Sequence, residues 1–119
     1  AKGKLTSLEG KRAQLAQKRR LSEDKIRTDI AIAFEAVRAA YERVQRTAEA
    51  RDLADYMAEV EREKFKAGES DLLKVALREE KAAESAGKAI DALLEYQLGL
   101  AHLRAASGVD NGSTVEWAP

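Results

Sequence analysis

The sequence predicts an all-α protein: a long antiparallel αα-hairpin, similar to a coiled coil, with arms of unequal length. Two observations support this fold class. The 119 residues are 45% hydrophobic and 35% charged, with one proline and no cysteine, and such a composition is typical of long helices and coiled coils. The chain also breaks only once, near residues 68–70, between two long stretches of good helix formers. At this length we expect a single domain.

The first helix is predicted over residues 1–67, because this stretch has no proline and, after its first few residues, only one glycine, Gly10. The sequence TSLE, from Thr6 to Glu9, predicts a capping box near the helix start. In this motif the side chains of Thr6 and Glu9 bind amides of the first turn.

Apolar residues of the first helix repeat at alternating spacings of four and three, which is the pattern of a coiled-coil seam. Near the break a second apolar group falls out of step with the first, so the stripe is expected to move round the helix there. The predicted seam comprises Ile26, Ile30, Ala33, Val37, Ala40 and Val44, widened by Phe34, Tyr41 and Ala48, and the out-of-step group comprises Leu53, Met57 and Val60.

The hairpin tip is predicted at residues 68–70. Gly68 supplies the left-handed conformation that often ends a helix, and Ser70 is a favoured N-cap residue for the next helix. Asp71 then falls in the first turn, where the helix dipole favours a negative charge. Because the link is so short, the second helix is expected to fold back antiparallel on the first.

The second helix is predicted over residues 71–107, with two apolar stripes that would need two neighbours. Gly87 and Gly99 are expected where backbones approach closely, since glycine costs about 1 kcal/mol in a helix interior. A polar tail is predicted at 108–119, with a turn at Asn111-Gly112. One stripe comprises Leu72, Val75, Ala76, Ala83, Ala86, Ile90, Leu93 and Leu100, and the other comprises Leu94, Leu98, Ala101 and Ala105.

The two arms differ in length. The second helix spans about 55 Å at the usual helical rise, which leaves roughly the first 25 residues of the first helix without a partner in this chain. Its exposed leucines are expected to be covered by another part of a parent protein or by a second copy. They are Leu5, Leu8, Leu15 and Leu21.

No enzymatic activity is predicted, and no catalytic residue, cofactor site or metal site. The only histidine is His102, and the chain has no second histidine and no cysteine to complete a metal shell or a nucleophile pair. We therefore assign His102 to the surface or the packing of the second helix. Carboxylate pairs one turn apart, such as Glu59 with Glu63, are explained as solvated helix faces paired with nearby basic residues.

The net charge of the chain is zero, so nucleic acid is not expected as a partner. Basic residues are nevertheless concentrated near the start, and two interpretations stay open there: a solvated or acid-pairing helix face, or a phosphate-binding surface. No stretch is apolar enough to span a membrane. The start without methionine suggests a piece of a longer protein, and the absence of cysteine leaves the redox compartment open.

Residues 65–108, FKAGESDLLKVALREEKAAESAGKAIDALLEYQLGLAHLRAASG, resemble the closing segment of the outer-membrane efflux proteins, the TolC-like channels. The shared features are an aromatic residue, a glycine three positions later, a short polar link, an Asp-Leu-Leu opening and an alanine-rich helix ending in Ala-x-Gly. The resemblance extends over nearly the whole chain, from Lys4 to Gly108. The matching positions are Phe65, Gly68, Ser70, Asp71, Leu72, Leu73 and Ala106-Ser107-Gly108.

This resemblance implies that the chain is a periplasmic tunnel-wall hairpin of such a channel, which conducts exported molecules passively in a tripartite efflux or type I secretion system. It implies a periplasmic adaptor protein as the direct partner and, through the adaptor, an inner-membrane transporter. It also implies a trimeric parent channel, with this chain in the periplasmic part of an outer-membrane protein. As an isolated chain, the hairpin is expected to form a dimer.

The resemblance also implies two sets of functional residues. Many members of the family carry an aspartate where this chain has Lys74, so an acidic constriction of the duct is not carried over. The implied adaptor-docking tip comprises Ala67, Gly68, Glu69 and Ser70. The implied tip-proximal wall comprises Asp71, Leu72 and Lys74.

Two other interpretations stay open. The coiled-coil hairpin of a periplasmic adaptor typically carries Arg, then Leu, then Ser at four-residue spacings near its tip. This chain has Arg62, Lys66 and Ser70, so the leucine is absent. A generic cytoplasmic scaffold coiled coil would show one seam per helix, whereas two stripes are predicted on the second helix.

Overall fold

The computed structural model describes residues 2–108, and two α-helices account for nearly all of them. Helix α1 spans Lys2–Lys66 and helix α2 spans Leu72–Ser107. No strand occurs among the described residues, and the two helices pack as a hairpin, which confirms the predicted fold class. The predicted turn at Asn111-Gly112 and the tail after residue 108 lie outside the described residues.

The described chain forms two compact units, residues 35–101 and residues 2–34 with 102–108. The first unit contains the hairpin turn. In the second unit, every residue from 2 to 29 is exposed, as predicted for the first 25 residues, and Ala33 is buried. Leu5 and Leu21 are among the exposed apolar side chains of that stretch.

The start of α1 differs from the prediction. The Thr6 hydroxyl donates a hydrogen bond of 3.0 Å to the Lys2 carbonyl oxygen, one turn earlier. Thr6 therefore lies inside the helix and does not cap it, so the predicted capping box is wrong. The physical reason is that Lys2, Lys4 and Leu5 are good helix formers, so the helix begins before Thr6. The threonine hydroxyl then donates to a carbonyl oxygen of its own helix.

The core of the 35–101 unit is a seam of small side chains. Ala58 and Ala92 are completely buried, and no large side chain in the described residues reaches that degree of burial. Small residues let two helix backbones approach closely. The buried members of the seam are Ala40, Ala54 and Ala58 on α1, and Val75, Ala82, Ser85, Ala89 and Ala92 on α2.

The predicted apolar stripes of α2 do not form its buried face, which contains only Val75 of them, while Ala86 and Leu100 are half-buried. The large residues of those stripes are mostly exposed; Leu98, for example, is 71% exposed. Alanines occur at spacings of four, three and three from Ala82 to Ala92, and a stripe of alanine allows a closer helix approach than a stripe of leucine. The large side chains therefore remain on the outer faces, among them Leu72, Leu77, Ile90, Leu93, Leu94 and Leu98.

The predicted movement of the α1 stripe near the break is also wrong. Ala54 and Ala58 continue the spacing of the earlier seam, with the half-buried Thr47 and Arg51 between them and Val44. Polar residues thus hold two positions of a continuous seam. The out-of-step group, Leu53, Met57 and Val60, forms no part of the buried core.

Contacts at the two edges of the seam fix how far each helix is displaced along the other. On one edge the Arg62 Nε donates to Glu79 Oε1 at 3.0 Å. On the opposite edge and further from the tip, Arg43 donates to Glu95. The rings of Tyr41 and Tyr96 pack in a tilted arrangement with centroids 5.6 Å apart. Exposed ion pairs add little stability, so their main effect is on register.

The two glycines inside α2 have different surroundings. A Cβ at Gly99 would lie 3.4 Å from Val37 Cγ2, so the expected close approach of backbones is confirmed there. A Cβ at Gly87 would meet no atom within 4 Å, so that part of the prediction is wrong. Gly87 lies on an open face of the helix.

We predict that Ala92→Leu destabilises the hairpin by about 1 to 3 kcal/mol, because the added methylenes have no space in the seam. Leu94→Ala on the same helix is the matched control and should change the free energy of unfolding by less than about 1 kcal/mol. Urea denaturation followed by circular dichroism at matched chain concentration measures both. The reverse order of the two effects would contradict a small-residue seam.

A second pair of variants tests the approach at Gly99. Gly87→Leu should raise the free energy of unfolding by up to about 1 kcal/mol, because leucine is a better helix former than glycine. Gly99→Leu should lower it by about 1 to 3 kcal/mol, because the side chain collides with Val37. Thermal unfolding of both variants, recorded side by side, checks the sign of each change; equal stabilisation by both would refute close contact at Gly99.

Candidate functional site at the hairpin tip

The end of α1 is closed by backbone hydrogen bonds around Gly68. The Gly68 N–H donates to the Phe65 carbonyl oxygen at 3.0 Å, and the Glu69 N–H donates to the Lys64 carbonyl oxygen at 2.8 Å. Gly68 has a φ of +79°, a conformation that glycine adopts without strain. This pair of bonds is a Schellman motif, and the predicted role of Gly68 is confirmed.

The start of α2 is capped by Asp71. The Lys74 N–H donates to Asp71 Oδ1 at 2.8 Å, and the Val75 N–H donates to the Asp71 carbonyl oxygen at 3.2 Å. Asp71 is therefore the N-cap residue rather than a first-turn residue, and the predicted cap at Ser70 is wrong. The physical reason is spacing: only the side chain at the residue just before the helix reaches the amide three positions later.

Ser70 has a different environment from its neighbours. Its hydroxyl oxygen is buried and has no hydrogen-bond partner among the described residues. Ala67, Gly68 and Glu69 are exposed. Of the predicted docking tip, three residues thus form an exposed surface, and the hydroxyl of the fourth points away from solvent.

The predicted tip-proximal wall begins with apolar side chains in water. Leu72 and Leu73 are each 69% exposed, and Lys74 is exposed on the same turn. Lys74 forms no ion pair within residues 2–108. The tip therefore exposes the side chains of Glu69 and Asp71, a small backbone turn and two adjacent leucines.

A shallow depression lies beside the tip on the outer face of α1, with a volume of about 520 Å³. Its apolar part is formed by Tyr56, Val60 and Ala67, and carboxylates surround it, including Glu63. Sequence reasoning placed Val60 in the out-of-step apolar group and missed this surface. The available signal was the spacing of four and three that links Tyr56, Val60, Glu63 and Ala67.

The histidine and the carboxylates are the residues that could carry chemistry away from the tip. His102 is exposed on α2. No group of three or more His, Cys, Asp or Glu residues within residues 2–108 is arranged to hold a metal ion. Neither described helix has a stretch that is both long and apolar enough to cross a membrane.

We predict that Asp71→Ala costs about 1 kcal/mol of stability, because the amide of Lys74 loses its acceptor. Ser70→Ala is the matched control and should cost less, since its hydroxyl bonds to nothing in the described structure. Thermal denaturation of the two variants gives the comparison. A larger loss for Ser70→Ala would show that the serine is the true cap.

Comparison with known proteins found no matching protein-family model, no matching curated protein and no matching solved structure. The case for a function is therefore made by the residues and geometry of this chain.

Proposed function

We propose that this hairpin is a periplasmic tunnel-wall element of a TolC-like outer-membrane channel and that its tip binds a periplasmic adaptor protein. The adaptor would connect the channel to an inner-membrane transporter in a tripartite efflux or type I secretion system. The proposal starts from the resemblance of residues 65–108 to that family. The structural observation that supports it most is the exposure of large apolar residues on both outer sides of α2.

A hairpin that served only as a spacer would have one buried seam and polar outer faces. Here the seam uses alanine, while leucine and isoleucine face outward on α2. Leu72 and Leu77 are both more than half exposed, and a spacing of five residues places them about 140° apart around the helix. Exposed apolar faces of this extent mark contact surfaces. An element of a helical wall needs such surfaces, because it has neighbours on both sides.

The tip has the properties of a rigid docking point. Its turn is short, and both helix ends are closed by backbone or side-chain hydrogen bonds, at Gly68 and at Asp71. Rigid presentation lowers the entropic cost of binding. Glu69 supplies a charge for orientation, and Leu72 and Leu73 supply apolar area for contact.

The proposed role is passive. The hairpin would form part of a duct made by several protomers, a trimer in the parent channel, and the transporter would supply the driving force. Lys74 would lie in the wall close to the tip. Its positive charge would then act on permeating ions in the opposite sense to the aspartate found at this position in many family members.

The tip is tested by a single cysteine in the protein expressed in its own cells. The chain has no cysteine of its own, so one engineered thiol is unique in it. Glu69→Cys is the better site than Ser70, because Glu69 is exposed while the Ser70 hydroxyl is buried. Ser107→Cys, exposed at the far end of α2, is the matched control.

We expect a short thiol-reactive crosslinker to join Glu69→Cys to a periplasmic adaptor hairpin, identified by mass spectrometry, and to capture none from Ser107→Cys. Capture of an outer-membrane channel instead would reverse the assignment and make this chain the adaptor hairpin. Capture of cytosolic proteins, or only of further copies of the chain, would refute docking at the tip and favour a scaffold coiled coil.

A further inference from the structure

The start of α1 has a long exposed surface that the proposed function does not use. Every residue from 2 to 29 is exposed, whereas Ala33, further along the same helix, is 3% exposed. The spacing of three and four that contains Ala33 and the half-buried Ile30 continues toward the start of the helix. The seam therefore has an exposed extension on the same face of α1, which we call the exposed stripe. Apart from one serine, its members are Leu5, Leu8, Arg12, Leu15, Arg19 and Ile26.

The apolar side chains of the exposed stripe are of the kind that packed helices bury. Leu5 and Leu15 are each 63% exposed, Leu8 is 58% exposed and Ile26 is 52% exposed. They occupy seam positions of a seven-residue repeat, which is the pattern of a helix that packs lengthwise against another helix. Moving such side chains out of water stabilises the contact that covers them. The stripe therefore favours a helical partner that lies along it.

Two arginines interrupt the apolar positions of the exposed stripe. Arg12 and Arg19 lie seven residues apart, or about 10.5 Å along the helix, and both are exposed. An acid lies within one helical turn of each arginine, Glu9 for the first and Glu23 for the second. No ion pair within residues 2–108 involves either arginine. A helix that packed on the stripe would need to provide opposite charges for both, because a charge that is buried without a partner is costly.

The charge around the exposed stripe is strongly positive. Residues 2–20 contain seven Lys or Arg residues and one acid, Glu9, which gives a net charge of +6. The whole chain has 21 basic and 21 acidic residues, so its other residues together have a net charge of −6. Even if Glu9 and Glu23 each paired with an arginine of the stripe, five of those seven bases would remain without a partner on this segment. Such a surface favours a negatively charged partner.

The same segment of a second copy is a poor occupant of the exposed stripe. Two copies packed through residues 2–20 would place a charge of +6 against a charge of +6, and like charges brought together across an interface oppose association. The exposure of the leucines alone predicted a dimer. The charge of the same segment argues against a dimer formed through these leucines.

Nucleic acid and an anionic membrane match the exposed stripe less well than an acidic helix does. Sites for single-stranded nucleic acid usually combine bases with aromatic side chains, and residues 2–29 contain no aromatic residue. A helix that lies on a membrane has an apolar face separate from its charged face, whereas Arg12 and Arg19 lie within the apolar stripe itself. A partner helix fits both features, because apolar residues and carboxylates can alternate along its contact face.

We propose that residues 5–26 of α1 bind an acidic amphipathic helix from outside this chain. Apolar residues of that helix cover the leucines of the exposed stripe, and two of its carboxylates, seven residues apart, pair with Arg12 and Arg19. Acids at the margins of its contact face meet Lys11 and Lys18, which flank the stripe. This inference goes beyond the proposed function, because it involves neither the tip nor an adaptor, and either can fail without the other.

Two helical peptides test the pairing. Both have leucine at their seam positions and glutamate on their outer faces, and they differ only at two seam positions seven residues apart. These two positions hold glutamate in one peptide and lysine in the other. Fluorescence anisotropy of the labelled peptides measures their binding to the full 119-residue chain, below the concentrations at which the peptides self-associate. We expect the peptide with seam glutamates to bind about tenfold more tightly or better.

Charge reversal within the exposed stripe should reverse this preference. The variant Arg12→Glu with Arg19→Glu should bind the peptide with seam lysines more tightly, because the two kinds of charge have exchanged sides. The matched control, Arg20→Glu with Arg27→Glu, has the same spacing and the same change of net charge. Each of its residues follows a stripe position and lies about 100° away around the helix. The control should weaken both peptides alike and keep the preference for seam glutamates, and circular dichroism verifies that both variants are helical.

Three results would overturn the proposal. If the control pair also reversed the preference, or neither pair did, the arginines of the stripe would have no special role. Binding of neither peptide would exclude an acidic helix, and binding of a short DNA duplex or of phosphatidylglycerol vesicles would then identify a phosphate-binding surface. Self-association of the wild-type chain in analytical ultracentrifugation that excludes the peptide with seam glutamates would show that a second copy covers the stripe.

Discussion

The contact between α1 and α2 is made by alanines, and most other features of the hairpin depend on it. Ala58 and Ala92 are completely buried, which requires the two backbones to lie close together along the seam. At such a distance few large side chains fit between the helices, and Tyr41 and Tyr96 meet at an edge of the seam. Most leucines and isoleucines therefore occupy the outer faces, and the hairpin has a thin core and a large apolar exterior.

The same close contact explains the turn. Two helices that approach this closely are joined by few residues, so each helix end must be closed within the link itself. Gly68 ends α1 with a left-handed conformation and two backbone hydrogen bonds. Asp71 begins α2 by accepting the amide of Lys74. The result is a short, well-defined tip whose exposed surface is mostly backbone, two carboxylates and a pair of leucines.

Opposite charges meet across both edges of the seam. The net charge of the chain is zero, and two ion pairs cross the seam, Arg62 with Glu79 on one edge and Arg43 with Glu95 on the other. Exposed ion pairs of this kind contribute little to stability. Their main effect is therefore on how far each helix is displaced along the other.

The sequence by itself determined the two helices, the single break and the role of Gly68, because helix propensity and glycine conformation act locally. It also indicated that the start of α1 has no partner, since that follows from the two lengths. Only the tertiary structure decided which face of α2 is buried. The large apolar residues predicted one buried face, whereas alanines form most of the buried face in the structure. The distance between two packed helices depends on the side chains of both helices, so it does not follow from the pattern of either helix alone. The cap at Asp71 and the surroundings of Gly87 and Gly99 also depended on that geometry.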